Sequence, residues 1–501
     1  MKFIGLRLDE HGANVTYTDG SKVKYCEIAR ELQLKHHGYF DDLNSWFYLL
    51  KKWNVNPSEI DAIGIVLDCF RHQEILTNEK KIYETIDIPT FKSVGFDCPI
   101  FRIDHHLCHT LSIWTLNEEC DINLTFDGFG DDFITHSIYK DFNRLEYFYR
   151  EDLTSLGTVM CDVAAMMGIS GIRDDLPGKL MALKSHTFFP RQDRNRIVSQ
   201  LSNLSIFDIE YVWGSPSFHQ MSFEEQVDRV NIFHEVSENI FAKYFSEVSQ
   251  KYNSDKISYT GGVALNTVIN SKIKKEVPGL IIPPHTNDTG LSLGVVEFLR
   301  IYFQQEKFDS SGFPFWQDDE SPEELPTIET IQETAKLLSQ GNIVGWYQGQ
   351  GEIGPRALGH RSILMDPSHP NGKEIINERV KHREWYRPFG ASVLEHEVSN
   401  YFDWKGKSEY MLYVMDVLQS DRFPSISHID NTCRTQTVSQ KNSHFFDLID
   451  SFNEIAGVPM LLNTSLNKGG KPIAGHIADA LDVFHHTDLD VLVVGNQIYK
   501  K

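Results

Sequence analysis

"GEIGPRALGHRSILMDPSHPNGKEIINERVKHREWYRPFG", Gly351–Gly390, gathers Arg356, Arg361, Lys373, Arg379, Lys381, Arg383 and Arg387 between glycines and prolines. The surrounding chain is acidic, 501 residues with a formal net charge of −22. Arginine offers a rigid fork to phosphate oxygens and lysine a mobile point charge. A pocket for a triphosphate and a second phosphate ester needs several such groups. The other reading of a charge run is a solvated face. Few acids stand nearby, and Trp385, Tyr386 and Phe389 can supply apolar walls.

Working outward, the stretch follows a helix pattern, "IETIQETAKLLSQG", ended at Gly341, and a strand, "NIVGWYQG". Strands "GVPMLLNTS" and "LDVLVVGNQIY" close the chain. Upstream, "QQEKFDSSGFPFWQDDESPEELPTIET" is polar, acidic and broken by proline, and reads as an exposed linker. The N-terminal part reads as mixed α/β. "KFIGLRL", "ANVTYTD" and "KVKYCEI" are strands turned at Gly12 and Asp19-Gly20. "INLTFDGFGDDFITHSIY" is strand, glycine turn, strand; "KISYTGGVALNTVINSKI" is strand, Gly-Gly, helix. Repeated strand-to-glycine turns suit backbone amides aimed at phosphates, or ordinary hairpins with glycine at positive φ.

Composition bounds the class. Hydrophobic residues make 41% and charged residues 24%, as in globular chains. No apolar run approaches the roughly 18 residues of a membrane helix. Seven scattered cysteines without a CxxC suggest reduced thiols and a cytoplasmic setting. The global charge opposes nonspecific nucleic-acid binding.

"DHHLCHT" sets His105 and His109 at i and i+4, one face of a helix, which suits a divalent metal if carboxylates join from elsewhere. His106 is the alternative, about 100° away around the helix.

"GEIGPRALGHRSILMDP", "IINERVKHREWYRPFGASVL", "HIDNTCRTQTV" and "GVPMLLNTSLNKGGKPIAG" closely resemble the C-terminal half of the O-carbamoyltransferases, which act in tobramycin, novobiocin, cephamycin and nodulation-factor synthesis. The resemblance runs in order over about residues 340 to 500. It implies an α/β chain with a duplicated actin-like domain, residues 1–310, a linker at 311–327 and a YrdC-like domain at 328–501. The strand-turn pattern of the N-terminal half agrees with the actin-like reading. In the implied reaction, carbamoyl phosphate and ATP, the latter with magnesium, give carbamoyl-adenylate. An acceptor hydroxyl then takes the carbamoyl group and AMP leaves.

By the same resemblance, Arg356, Lys381, Arg387 and Arg434 fall on phosphate-binding positions, and Ser465 and Asn467 on polar contacts to nucleotide and carbamoyl group. His105, His109, Asp127 and Asp288 fall on a metal site suited to iron(II), with manganese or zinc chemically possible. His11 falls on the histidine of the first hairpin, in reach of the acceptor hydroxyl or the leaving phosphate, and Lys35 on a lysine for the adenylate phosphate. Gly261 and Gly262 would let the chain approach the nucleotide; Asp228 matches a helix position without an assigned role. The family also allows a homodimer. Departures lie in the transfer half: Pro177 in "DDLPGKLMALKSH" replaces an acid, and the first hairpin reads "DEHGAN". They suggest an unusual, larger or flatter acceptor. A small hydroxylated metabolite is the first expectation. The alternative is a hydroxymethyl base in DNA or a nucleotide, for which Arg173, Lys179 and Lys184 could line the site. Threonylcarbamoyl transfer to tRNA and a non-catalytic actin-like scaffold are the remaining rivals.

Overall fold

The computed structural model describes residues 1–8, 12–35, 44–67, 81–188, 192–214 and 218–501. Eighteen strands are described, and they fall into three sheets. The first holds β1 (Phe3–Arg7), β2 (Asn14–Thr18), β3 (Val23–Glu27), β4 (Ala62–Val66), β5 (Tyr83–Ile86) and β6 (Ile100–Ile103), in the order β3-β2-β1-β4-β6-β5. The second holds β7 (Ile122–Phe126), β8 (Ile134–Lys140), β9 (Asn143–Tyr149) and β10 (Ile257–Thr260), in the order β10-β7-β8-β9.

These two sheets repeat one plan. β1 pairs antiparallel with β2, β2 with β3, and β1 parallel with β4. β7 pairs antiparallel with β8, β8 with β9, and β7 parallel with β10. Both meanders end in a parallel partner reached by a long crossover, which buries the central strand on both faces. β1 and β7 are accordingly buried at every position.

The third sheet is mixed, with β11 (Val344–Tyr347), β12 (Arg361–Met365), β13 (Gly390–Leu394), β14 (Tyr413–Asp416), β15 (Thr432–Val438), β16 (Met460–Ser465), β17 (Val491–Val494) and β18 (Gln497–Lys500). Its order is β14-β15-β13-β16-β12-β11-β17-β18. One apolar core runs without a break from Phe126 and Ile257 of the second sheet to Trp346 and Leu461 of the third.

Two helices position the candidate site. His105–Leu111 starts at the Asp104 N-cap, whose carboxylate accepts from Leu107 N at 2.8 Å. Leu291–Tyr302 lies against it so closely that a Cβ on Gly294 would sit 1.9 Å from the Cys108 carbonyl oxygen.

The 311–327 segment differs from the expected exposed linker. Gln317 is wholly buried, Trp316 nearly so, and the Phe315 ring stacks on His360 at 3.6 Å. Gln317 Oε1 accepts from Glu27 N at 3.0 Å, and Gln317 N donates to Gly351 O at 3.1 Å. Polar composition hid a strap whose amides bridge the first sheet and the loop after β11.

Candidate active site

Two clusters of chemistry-bearing residues stand out. In the first, His105 and His109 point from one helix face toward Asp127, at the end of β7, and Asp288, ahead of the helix Leu291–Tyr302. One ligand atom from each of the four lies within 4.8 Å of all the others. His109 Nε2 stands 2.9 Å from Asp127 Oδ2 and 3.4 Å from Asp288 Oδ1; His105 Nε2 stands 3.2 and 3.5 Å from the same atoms. The two Nε2 atoms are 3.2 Å apart. Donors about 2.0–2.2 Å from one cation would be separated by about 3–3.5 Å, so the four residues fit a divalent metal.

Surrounding groups orient them. Asp127 Oδ1 accepts from Gly128 N at 2.7 Å and Gly262 N at 3.3 Å, leaving Oδ2 for the imidazoles. Arg7 Nη2 donates to Asp288 Oδ2 at 2.9 Å. Asp131 accepts from His105 N at 3.1 Å and pairs with Arg102 at 2.9 Å. Burial and Asp288 work to raise Asp127, but His105 and His109 outweigh them and hold it below the usual carboxylate range. Burial likewise opposes the charged Asp288, while His105 and Arg7 hold it well below that range. Burial would lower His105, yet Asp288 and Asp127 push it up to about 10. The site therefore favours two ionised carboxylates, and a bound divalent ion would take the place of the His105 proton. His106 turns away: Nδ1 meets Ser137 Oγ at 2.7 Å, and burial takes its pKa well below the ordinary value.

The glycines of the β10 turn are spent on this cluster. Gly261 has φ +91°, and a Cβ there would lie 2.1 Å from Phe126 O. On Gly262 a Cβ would meet Asp127 Oδ1 at 3.0 Å. His11 lies outside the described residues.

The second cluster is cationic. Lys381 closes a π-helical turn, Asn377–Lys381. Its Nζ has four acceptors for its three N–H groups, Ser465 O at 2.5 Å, Ser465 Oγ at 3.2 Å, Asn467 O at 3.1 Å and Asn467 Oδ1 at 2.5 Å. Arg434 stands on β15 in register with Gly390. Arg356 sits in the loop gripped by Glu352, whose carboxylate accepts from Leu358 N at 2.5 Å and from His360 N and Arg361 N at 3.4 Å.

Burial lowers Arg356 well below the usual guanidinium range, and Arg434 and Arg387 add to the effect. Burial lowers Arg434 to about 10. Burial, then Arg383, Arg387 and Lys35, lower Lys381 well below its ordinary value. These groups repel one another, and Glu384, 3.6 Å from Arg387, is the near acid. A polyanion would relieve that repulsion. Lys35 pairs with Asp175 at 2.6 Å and feels Lys381, which brings the N-terminal part to this cluster.

Not every cation of the quoted stretch belongs here. Arg361 pairs with Asp319 at 2.9 Å and lies 3.6 Å over the Tyr347 ring. Lys373 donates to Ser427 O, and Arg379 pairs with Asp490. Those three tie the sheet together. Trp385 is 68% exposed and meets His186 edge-on, whereas Phe389 lies buried beneath Arg383. Asp228 accepts from Phe188 N at 2.8 Å rather than from either cluster. The cations expected to line a nucleic-acid site each face a carboxylate: Arg173 faces Asp162, Lys179 faces Glu384 and Lys184 faces Glu238. Arg383, two residues beyond Lys381, stands in the quoted stretch, but the resemblance gave it no phosphate-binding position. Sequence reading missed Arg7, whose place in an apolar strand carried no signal.

Descriptions of one family match both parts of the chain, "Carbamoyltransferase N-terminus" over residues 72–296 and "Carbamoyltransferase C-terminus" over residues 335–501. The chain belongs to the carbamoyltransferase family. This carbamoyltransferase is similar to nodulation protein NolNO of Sinorhizobium fredii, 28% identical over 547 residues, covering 98% of this chain and 79% of that one. It is also similar to the 3'-hydroxymethylcephem-O-carbamoyltransferase of Amycolatopsis lactamdurans, 29% identical over 277 residues and 53% of each chain. Among solved structures, full-length HypF in its phosphate- and nucleotide-bound form is 13% identical, covering 62% of the carbamoyltransferase and 47% of that chain at a TM-score of 0.39. That likeness is too distant to carry an argument. No described helix of the carbamoyltransferase is long and apolar enough to cross a membrane.

Proposed function

We propose that this enzyme is an ATP-dependent O-carbamoyltransferase that works in two steps at the two clusters, residues 328–501 forming a YrdC-like activating domain and residues 1–310 an actin-like transfer domain. The repeated meander of the first two sheets supports the actin-like reading. The observation that carries the proposal is the cationic cluster of Arg356, Lys381, Arg383, Arg387 and Arg434, mutually repelling and nearly without acids. Such a group is costly unless an anion completes it.

In the first step water releases phosphate from carbamoyl phosphate. A carbamate oxygen then attacks the α-phosphorus of ATP, and pyrophosphate leaves. The cluster supplies fixed positive charge where negative charge develops on the phosphates. Ser465 and Asn467 hold Lys381 Nζ in place. In the second step an acceptor hydroxyl attacks the carbamoyl carbon, the bond to the adenylate oxygen breaks, and AMP departs. His11 is positioned in sequence to take the hydroxyl proton, and Lys35 to hold the adenylate phosphate. His105, His109, Asp127 and Asp288 would hold iron(II), which when bound supplies Lewis-acid polarisation. The cephem carbamoyltransferase supports a small hydroxylated acceptor.

Pyrophosphate release from ATP and carbamoyl phosphate separates the steps. Lys381→Met and Arg434→Ala should each lower it by about 10²–10³-fold, the loss of one charge-stabilising donor. His109→Ala should keep pyrophosphate release and lose carbamoylated product. Equal loss of pyrophosphate release in His109→Ala and Arg434→Ala would overturn the two-site assignment.

A further inference from the structure

The helix Phe223–Tyr252 sinks Val230, Phe233, Val236 and Phe241 into the core. Among these apolar side chains stands His234, itself wholly buried. A leucine there would fill similar space without taking two ring nitrogens out of water. A buried polar group of this kind must be matched, and both nitrogens of His234 are.

Nδ1 lies 2.8 Å from Glu238 Oε1, one turn along the same helix, and Nε2 lies 3.0 Å from Asn266 Nδ2. The other end of the Asn266 amide fixes which way it points. Its Oδ1 accepts from Ile269 N at 3.2 Å, the N-cap bond of the helix Thr267–Glu276. The amide nitrogen therefore faces the imidazole and donates to Nε2, which leaves Nδ1 to donate to Glu238. Glu238 also takes Lys184 at 3.3 Å. Donors and acceptors thus alternate without a gap from Ile269 N to Glu238.

The array holds the turn after β10. That turn, Gly262–Leu265, closes on Asn266, whose N donates to Val263 O at 3.0 Å. Its middle is pinned by Asn270, whose Nδ2 donates to Ala264 O at 2.8 Å. Its first amide, Gly262 N, holds Asp127 Oδ1, and Asp127 Oδ2 is the oxygen that meets His105 and His109. A shift of Asn266 would pass along four residues of turn to a group of the His/Asp cluster. At its far end the array reaches the Asp175-to-His186 stretch, where Asn231 Nδ2 donates to Lys184 O.

We propose that His234 is a positioning residue for the transfer step, whose two hydrogen bonds set the 262–266 turn and, through it, the angle at which Asp127 presents Oδ2 to the metal site. The inference rests on the proposed metal role of His105, His109, Asp127 and Asp288. His234 touches neither substrate nor metal; it acts through Asn266 and Gly262.

The test titrates cobalt(II) into the full chain and follows the visible spectrum, which reports ligand geometry. His234→Leu keeps the bulk and loses both bonds. It should weaken cobalt(II) by about 10–100-fold, as removal of an outer partner of a metal ligand does, and change the spectrum. Glutamine carries one donor and one acceptor side by side, so His234→Gln keeps both bonds and should bind within about three-fold of wild type. Asn266→Ser keeps an N-cap oxygen for Ile269 N but drops the donor to His234, and should weaken cobalt(II) as His234→Leu does. It carries the test if the leucine variant does not fold. Phe233→Leu, beside His234 and packed on Trp213 with ring centroids 5.8 Å apart, loosens the same core without touching the array. It should lower the thermal midpoint and leave the cobalt(II) affinity as it is. Wild-type affinity in His234→Leu or Asn266→Ser overturns the positioning role and leaves the metal site standing. So does equal weakening in His234→Gln and His234→Leu, or a loss in Phe233→Leu as large as in His234→Leu. Absence of cobalt(II) binding by the wild type overturns the metal reading, and this inference with it.

Discussion

Single side chains set how the two clusters respond to change. Asp127→Asn keeps the shape but removes a charge from the His/Asp group. Bound divalent metal, measured by elemental analysis after purification with iron(II), should fall by about ten-fold or more. Elsewhere, burial opposes the charge of Glu238, but Lys184 and His234 overcome that effect and hold it at about 2. A carboxyl depressed in the folded state contributes stability above its unfolded pKa of about 4.3 and loses it as pH falls toward 2. Glu238→Gln should therefore flatten the acid limb of chemical denaturation between about pH 4.3 and 2, by on the order of 2–3 kcal/mol. The HxxxH spacing made the paired histidines legible because helix periodicity alone sets them on one face. Arg7 was not legible, since its partner, Asp288, lies far along the chain.

Elements hold the ligands in place through close contacts. His105–Leu111 and Leu291–Tyr302 meet where Gly294 faces the Cys108 carbonyl. Gly294→Ala would force the helices apart, at a cost of about 1–3 kcal/mol or more. A fall in the thermal midpoint together with weaker metal binding is the expected outcome; a midpoint and metal content like wild type would contradict this account of the helix pair. Strands β1–β3, β7, β8 and β10 could be read from sequence, because apolar runs end in glycine turns. The 311–327 strap could not, since its acidic composition says nothing about Gln317 bridging two elements by its amide. The order of the third sheet was equally hidden, because long-range pairings such as β12 with β16 leave no local pattern.

At the scale of the molecule, the part that carries the first two sheets and the part that carries the third are docked through buried polar contacts. The Arg30 guanidinium donates to Glu352 O at 2.5 Å and to Gly354 O, and Arg30 Nε pairs with Glu27 at 3.0 Å. Asn270 Nδ2 donates to Leu412 O at 3.0 Å, and Val414 N to Ser271 Oγ at 2.7 Å. With the core continuous between the second and third sheets, calorimetric unfolding of the wild type should show one transition. Arg30→Met leaves Glu27 and two carbonyls unpartnered, a loss on the order of 3 kcal/mol, and should split that transition or lower it by several degrees.

The stretch from Asp175 to His186 belongs to the N-terminal part and borders the cationic cluster: Asp175 meets Lys35, Lys179 meets Glu384, and Ser185 donates to Asp430 at 2.7 Å. On the proposed route a mixed anhydride must travel between the clusters faster than water destroys it. The yield per nucleotide is then a race between two first-order losses, transfer and escape, and this stretch is the fence along the course. Lys179→Ala should leave pyrophosphate release near wild type while the ATP consumed per carbamoylated product climbs well above one. A ratio that stays at the wild-type value would mean that the fence does not matter to the race.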